Sequence, residues 1–241
     1  MHRKATGLVL AAALSLSFGS VPRALAIVSP PDINPADFAP GQPINNVFFP
    51  MPVGTKFIYD GTKGGIPTHD EMCVTRKAKL IEGVKVPVVH HRSFEAGVLI
   101  EDTFDYLAQD VFGNVWYFGE DTTEFPGTSQ ASTEGSWQAG VNEADAGFVM
   151  LANPQPGDRY YQEFSRNVAE DQAAVLSRNE SVCLTSGACY DNVLLIQETT
   201  RLEPGVVEYK YYAANVGLIL GVMAKGGDER IEFAGKGKCH E

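Results

Sequence analysis

The chain has 241 residues, with 30 acidic and 19 basic side chains and a formal net charge of −11. The first 26 residues hold three of the bases and no acid, so the remainder has 16 bases against 30 acids, a net charge of −14. Nucleic acid and anionic membrane surfaces both need a positive face, which excludes them as partners of so acidic a chain. The length fits a single β domain.

Residues 1–26 have the organisation of a secretory signal peptide. A basic start with Arg3 and Lys4 precedes the apolar stretch GLVLAAALSLSF, and the segment ends in ALA at residues 24–26, a small-x-small cleavage site. The apolar run is too short to serve as a membrane-spanning anchor. The sequence therefore predicts an exported protein, periplasmic or secreted, without membrane insertion.

Beyond the signal peptide the sequence predicts a leader followed by strands. Residues 27–46 are proline-rich and aperiodic, which predicts an extended leader, and residues 47–241 predict one β domain. About twelve such strands in a flat sheet would leave exposed edges, so we expect an all-β antiparallel meander, curled into a lipocalin-like barrel or a strongly curved half-barrel. The predicted strands, in chain order, are TKFIYD, EMCVTRKAKL, VKVPVVHHRSF, VLIEDTFDYLAQ, NVWYFGE, STEGSW, DRYYQEFS, AAVLSRNESVCL, YDNVLLIQETT, VVEYKYYA, VGLILGVMA and ERIEFAG.

One segment departs from the strand pattern. The stretch NVAEDQAA is typical of a short helix, with Asn167 as the N-cap and Glu170 three residues later, the spacing of a capping box.

The four cysteines form an even set, as expected of an oxidising compartment. Cys183 and Cys189 lie six residues apart around a Ser-Gly turn, which favours a disulfide across a hairpin end. Cys73 would then pair with Cys239 and tie the C-terminal tail to an early strand. Sequence alone allows three pairings. A zinc site is the competing interpretation, but the spacing that zinc sites use is absent.

The phrase FFPMPVGTKFIYDG at residues 48–61, followed by EDTFDYLAQDVFGNVWYFGEDTTE at 101–124, resembles a group of uncharacterised bacterial exported proteins and lipoproteins. Those proteins share a Phe-Pro-x-x-x-Gly-Thr-x-aromatic-x-Tyr opening and an Asp-x-x-Gly-Asn-x-Trp-Tyr hairpin. The similarity extends to STEGSW, AEDQAAVL and VEYKYYA. Ile27 departs from the lipoprotein members, which have Cys after the cleavage site. The resemblance implies a curved antiparallel sheet and no particular reaction.

Negative charge is concentrated in residues 93–158, which contain twelve acids and no Lys, Arg or His. The rest of the chain after residue 26 balances 18 acids against 16 bases, so this segment carries −12 of the net −14. Acids that simply face solvent and keep an exported protein soluble are the ordinary explanation for any one of them. Their segregation into one segment is what indicates a site.

The expected register of the 101–124 hairpin places two carboxylates opposite each other. A turn through residues 111–114 sets Asp105 against Glu120, and opposed carboxylates about 5 Å apart at Cβ repel. Side chains alternate along strands, so the register also predicts which neighbours share their face. The face of Asp105 and Glu120 is expected to carry Leu107, Gln109, Trp116 and Phe118, and the other face Tyr106 and Tyr117.

Relief of this repulsion by solvent, a shared proton or a cation leads to different functions. Our main hypothesis is an exported binding protein whose barrel mouth takes a small molecule, cationic or sugar-like, against aromatic rings. The alternatives are a cofactor-independent enzyme that uses Asp105 and Glu120 as acid and base, and a calcium-stabilised module without EF-hand spacing. We predict no other cofactor. The predicted ligand-binding residues are Tyr106, Trp116, Tyr117, Glu134, Trp137 and Lys210.

The remaining candidates are weaker. His90 and His91 are adjacent in a strand, so they point to opposite faces and are not expected to chelate one metal together. STEGSW lacks the Gly-x-Ser-x-Gly elbow of serine hydrolases, so Glu134 and Trp137 are expected only to line a site. Lys210 either points inward as the counter-charge of the acidic hairpin or forms an ordinary surface pair.

Overall fold

The computed structural model describes residues 29–127 and 130–239. Apart from one 3-10 turn at Pro35–Asp37, their regular structure is all β. No helix in these two ranges is long and apolar enough to cross a membrane. The predicted signal peptide lies outside the described residues. The strands are β1 Ile44–Asn46, β2 Phe49–Met51, β3 Thr55–Lys63, β4 Ile66–Ile81, β5 Val84–Glu95, β6 Val98–Gln109, β7 Val115–Glu124, β8 Trp137–Gln138, β9 Asp145–Met150, β10 Arg159–Tyr161, β11 Glu163–Phe164, β12 Asp171–Cys183, β13 Cys189–Thr200, β14 Val207–Ala213, β15 Gly217–Lys225 and β16 Arg230–Lys238.

The main sheet is an antiparallel meander that nearly closes into a barrel, which confirms the predicted fold class. Thirteen strands follow one another in the order β10-β12-β13-β14-β15-β16-β3-β4-β5-β6-β7-β9-β11, and β8 adds to β7. β10 pairs with β12 at one end of this order while β11 pairs with β9 at the other. Only Gln162 separates β10 from β11, so one short segment bridges both ends of the sheet and removes most of its exposed edge.

The barrel interior is apolar towards the end near the β6–β7 turn. Alternate inward positions there carry large side chains such as Phe57, Leu107 and Ile196, all nearly inaccessible to solvent. The small β1–β2 hairpin adds Met51 to the same cluster. It is attached to the barrel through Gln109, whose Oε1 accepts the backbone N–H groups of Asn45 and Asn46, both at 2.8 Å. These contacts close this end of the barrel.

A second apolar cluster lies on the outer face of β5–β7. The predicted leader covers part of it, because the Phe38 ring meets the rings of Trp116 and Phe118 edge to face, with centroids 5.7 and 5.5 Å apart. The backbone of Asp37 also accepts a hydrogen bond of 2.8 Å from Val111 N. The described part of the leader therefore packs on the barrel.

Two disulfides tie the sheet, with the pairing that the spacing favoured. Cys183–Cys189 closes the β12–β13 hairpin, and Cys73–Cys239 joins β4 to the residue that follows β16. The second bond crosses β3, which lies between those strands. Disulfides of this kind are typical of an exported protein.

The predicted helix over NVAEDQAA is wrong. Asn167 adopts a left-handed φ of 60° and its backbone N donates to Glu170 Oε1 at 3.0 Å, so these residues form a turn. β12 begins at Asp171, with Ala173 and Val175 buried at alternate positions. Pairing with β10 on one side and β13 on the other outweighs a weak local helical signal.

Candidate functional site

A cavity of about 600 Å³ lies inside the barrel above the apolar end. Its lining within the described ranges includes eleven carboxylates against one lysine and one histidine, Lys210 and His91. The acids come from strands far apart in the chain and extend up to exposed side chains at the rim. They are Asp70, Glu101, Asp105, Glu120, Glu124, Glu134, Glu163, Asp171, Glu198, Glu208 and Glu229.

The acidic hairpin supplies the centre of this lining, and its strand register pairs Asp105 with Glu120 as expected. Nearer the turn the predicted register is wrong by one residue, because Leu107 pairs with Tyr117 and Gln109 with Val115. A bulge in β7 at Phe118 and Gly119 makes up the difference.

The bulge decides which aromatic residue reaches the acids. Tyr117 turns inward beside Asp105 and Glu120, whereas Trp116 and Phe118 turn outward into the cluster under Phe38. The predicted common face of Asp105 with Trp116 and Phe118 is therefore wrong. A regular ladder keeps strict alternation, and an extra residue on one strand inverts it beyond that point.

Gly119 is required for this bulge. Its φ is +130°, and a Cβ there would lie 2.3 Å from the carbonyl oxygen of Trp137. We expect Gly119→Ala to lower the free energy of unfolding by roughly 2–4 kcal/mol, because both backbone strain and a backbone clash oppose it. Gly205→Ala is the matched control, since Gly205 also has a positive φ, +103°, but open space around it. Urea unfolding of both variants measures the difference, and equal losses would contradict the assigned role of the clash.

Tyr117 joins the two opposed carboxylates. Its hydroxyl oxygen lies 2.7 Å from Asp105 Oδ1 and 2.9 Å from Glu120 Oε2. A phenol has one hydrogen, so it can donate to only one of them at a time. The other contact is a hydrogen bond only when that carboxyl itself carries a proton. The geometry therefore suits a pair that shares one proton.

Burial and mutual repulsion favour that proton. Burial first, and the charge of Asp105 second, raise the pKa of Glu120 to about 8. Burial also raises the pKa of Asp105, although His91 and the hydrogen bond from Tyr117 oppose the shift. Burial raises the pKa of the Tyr117 hydroxyl well above its usual range, with the two carboxylates adding to it. A proton held by this pair near neutral pH therefore agrees with the geometry and with the raised pKa of both carboxyl groups.

Asp105 has one oxygen left over. The residue is only 8% exposed, and its Oδ2 is buried without a hydrogen-bond partner among the described residues. A buried carboxylate oxygen without a donor is costly, so native structures rarely leave one. Asp105 lines the cavity, so a donor on a bound molecule would satisfy this oxygen once a small rotation of the side chain exposes it.

His91 is the histidine that lines the cavity beside the hairpin. As expected, it points into the cavity while its neighbour His90 points outward, where His90 stacks on Phe104 with ring centroids 4.6 Å apart. His91 Nε2 lies 3.6 Å from Asp70 Oδ1. Burial works against a charge on His91, but the neighbouring Asp70 carboxylate and the charge of Asp105 outweigh it and raise the pKa.

Lys210 points into the cavity but serves different acids from those predicted. Its Nζ lies 2.5 Å from Glu198 and 3.5 Å from Glu208, on β13 and β14, which are seven and six strands away from β6 in the sheet order. Glu198 also accepts a 2.8 Å hydrogen bond from Gln162 Nε2. Burial opposes the Lys210 charge, but these two glutamates raise its pKa overall. This wall of the cavity therefore contains its own counter-charge, and the hairpin wall does not gain one from Lys210.

A further buried acid, Glu163, lies between the hairpin side of the cavity and the side formed by β13 and β14. Burial raises the pKa of Glu163 well above its usual range, and the charges of Asp171 and Glu120 add to the shift. Trp137 Nε1 donates to Glu163 Oε2 at 3.0 Å, and its ring meets that of Tyr117 edge to face at 5.5 Å. Trp137 thus supports the acidic lining from behind.

Three predicted ligand-binding residues, Tyr106, Trp116 and Trp137, are not among the residues that line the cavity. Tyr106 and Trp116 both belong to the outer cluster, where Lys79 Nζ lies 4.1 Å from the Tyr106 ring centroid and Trp116 Nε1 donates to Asp110 at 2.8 Å. Their assignment to the site is corrected for the same reason, the alternation of β6 and the bulge in β7. Tyr117, Glu134 and Lys210 do line the cavity.

Sequence reasoning missed the acids on the side of the cavity opposite the acidic hairpin, which we call the far wall. Glu163, Asp171, Glu198 and Glu208 lie in short or ordinary-looking strands whose acids are balanced by nearby bases. The alternation of Glu208, Lys210 and Tyr212 was the available signal, since these three share a strand face. Within residues 29–127 and 130–239, no group of three or more His, Cys, Asp or Glu side chains is arranged to hold a metal ion.

No protein-family model matches the chain, and no curated protein matches it. Among solved structures, a crystal structure described as a "putative lipoprotein" from Parabacteroides distasonis is similar over 80% of this chain and 99% of that chain. The sequence identity is 13% and the TM-score is 0.39. A likeness at this level places the chain in no family, so the site is interpreted from its own residues.

Proposed function

We propose that this is an exported binding protein that takes a small, positively charged organic molecule inside its barrel. The observation that carries the proposal is the acidic character of the cavity lining, eleven carboxyl groups against one lysine and one histidine among the described residues. A cavity of about 600 Å³ falls in the size range of small-molecule sites. The disulfides support export.

The lining explains why the ligand should be a cation. Removing carboxylates from water is costly, and each one left without a partner makes the next harder to ionise. A bound cation relieves several of them at once, whereas an anion adds to the repulsion. Tyr117, whose hydroxyl lies beside Asp105, also lines the cavity and adds an aromatic side chain to it.

The test compares three molecules of one shape and different charge. At pH 7.4 and 0.15 M salt we expect benzylamine to bind, benzyl alcohol to bind at least tenfold more weakly, and benzoate not to bind, as measured by isothermal titration calorimetry. Asp105→Asn with Glu120→Gln should weaken benzylamine binding at least tenfold. The matched control is Asp121→Asn with Glu143→Gln, which removes the same charge from exposed positions. Binding that ignores ligand charge, or equal losses in both double variants, would overturn the proposal.

A second candidate function follows from the shared proton. A carboxyl with a pKa of about 8 opposite a second carboxyl is suited to general acid and base chemistry near neutral pH, and Tyr117 connects the two. In that case Glu120→Gln would abolish turnover of a cationic substrate and leave its binding intact. The binding function predicts that affinity falls in Asp105→Asn and that no bound cation is chemically changed.

A further inference from the structure

We propose that the ligand is an amphiphilic amine, with a primary ammonium head on Asp105 Oδ2 and an apolar body on the floor of the cavity. This inference rests on the proposed function and specifies its ligand. It assigns to one carboxylate the role of the head-group subsite. It also orients the molecule, with the charge midway down the barrel and the apolar part beneath it.

The position of Asp105 supports this orientation. It is the last inward-facing acid on β6, because the next inward residue towards the closed end is Leu107, which is 3% exposed. On the neighbouring strand Asp105 pairs with Val89, a fully buried core residue. Asp105 therefore lies on the boundary between the acidic and the apolar parts of the interior.

The unpartnered oxygen specifies the head group. Asp105 Oδ1 accepts from Tyr117, but Oδ2 has no donor among the described residues although the residue is more than nine-tenths buried. A primary ammonium offers three N–H donors and a charge, so it satisfies this oxygen fully. A quaternary ammonium has the same charge and no N–H, so it leaves the oxygen unsatisfied.

The apolar residues on the floor of the cavity are the reason to expect a ligand with an apolar part. Below Asp105 the cavity is lined by Phe49, Met51, Phe57, Leu107, Val149 and Leu218. A hydrocarbon chain lying on these side chains gains about 0.8 kcal/mol for each methylene removed from water, roughly fourfold in affinity. A second charge on the ligand would have to be buried on this apolar surface.

The far wall gives no reason for a second head group. Glu198 is satisfied by Lys210 and Gln162, and Lys210 also lies near Glu208. On the hairpin side the described cation in the lining is His91, whose ring lies beside Asp70. Among the carboxylate oxygens of the described residues, the buried one without a donor is Asp105 Oδ2, which favours a ligand with one ammonium group.

Calorimetric titration of the full chain with four amines tests the proposal, below the concentration at which any of them forms micelles. We expect n-octylamine to bind at least tenfold more tightly than n-butylamine, octyltrimethylammonium and 1,8-diaminooctane. Asp105→Asn should weaken n-octylamine binding at least tenfold, while Asp121→Asn, an exposed position in the same hairpin, should change it less than twofold.

The outcomes separate this inference from the proposed function. If octyltrimethylammonium or 1,8-diaminooctane binds as tightly as n-octylamine, the head-group and floor assignments are wrong, while binding of cations stands. If none of the four amines binds, both proposals fail. Should Asp105→Asn prove unfolded by circular dichroism, the comparison of the four amines on the wild-type protein still decides.

Discussion

Glu120→Gln is expected to raise the free energy of unfolding at pH 9 by roughly 2–4 kcal/mol and at pH 5 by no more than about 1 kcal/mol. Burial and the charge of Asp105 raise the pKa of Glu120 to about 8 in the folded protein, whereas an unfolded glutamate titrates near 4.3. Between those two values the folded state holds a proton that the unfolded state has released. The stability contributed by protonated Glu120 is therefore fully present below about pH 4 and is lost as the pH rises through about 8.

The glutamine variant escapes this loss because it carries no charge at any pH and keeps a donor for the Tyr117 hydroxyl. Urea unfolding at pH 5, 7 and 9, followed by circular dichroism, measures the effect. The wild type should lose stability steadily over this range, and the variant should lose less. Some slope remains in the variant, because burial also raises the pKa of Asp105 and of Glu163.

Asp121→Asn is the matched control for this experiment. Asp121 follows Glu120 on the same strand but is exposed to solvent, so removing its charge should leave the dependence of stability on pH as in the wild type. A Glu120→Gln variant whose stability falls with pH in parallel with the wild type would show that Glu120 ionises normally. The shared proton between Asp105 and Glu120 would then be wrong.

Removing the Cys73–Cys239 disulfide by a double change to alanine is expected to lower the free energy of unfolding by about 3–5 kcal/mol. The two cysteines are 166 residues apart, so the bond restricts a very long loop of the unfolded chain. The folded structure adds a second reason. β16 has only three register pairs with β15, so its attachment depends on β3 and on the bond that reaches β4.

The Cys183–Cys189 bond provides the comparison. Its cysteines are six residues apart, for which the same chain-entropy argument gives about 2 kcal/mol. Urea unfolding of the two double variants, each with the other disulfide intact, should therefore rank the long connection above the short one. A larger loss from the short connection would contradict the role assigned to Cys239 in holding β16.

Much of the fold was accessible from the sequence, because strands of this kind show themselves locally. Alternating β-branched and aromatic residues between turn pairs predicted the antiparallel meander, and the cysteine spacing favoured the observed disulfides. The helix expected at Asn167 fails because a local cap signal takes no account of the strands on either side of β12.

The candidate site divides in the same way. The segregation of acids into residues 93–158 and the opposition of Asp105 to Glu120 were both evident before the structure, since both depend on neighbours within one hairpin. The sequence did not show that Tyr117 joins those two carboxylates. A single extra residue in β7 turns the side chain of Tyr117, instead of that of Trp116, towards Asp105 and Glu120. The position of that extra residue depends on how β7 pairs with its neighbouring strands.

The sequence by itself determined the sign of the charge, its concentration in one hairpin and the strand-by-strand architecture, because those properties depend on residues close together in the chain. Closure of the barrel decided the rest. It brought Glu163, Asp171, Glu198 and Glu208 to the same cavity as Asp105 and gave Lys210 to the far wall. The reason is that side-chain alternation is local, whereas contacts across a barrel depend on which strands become neighbours when the sheet curls.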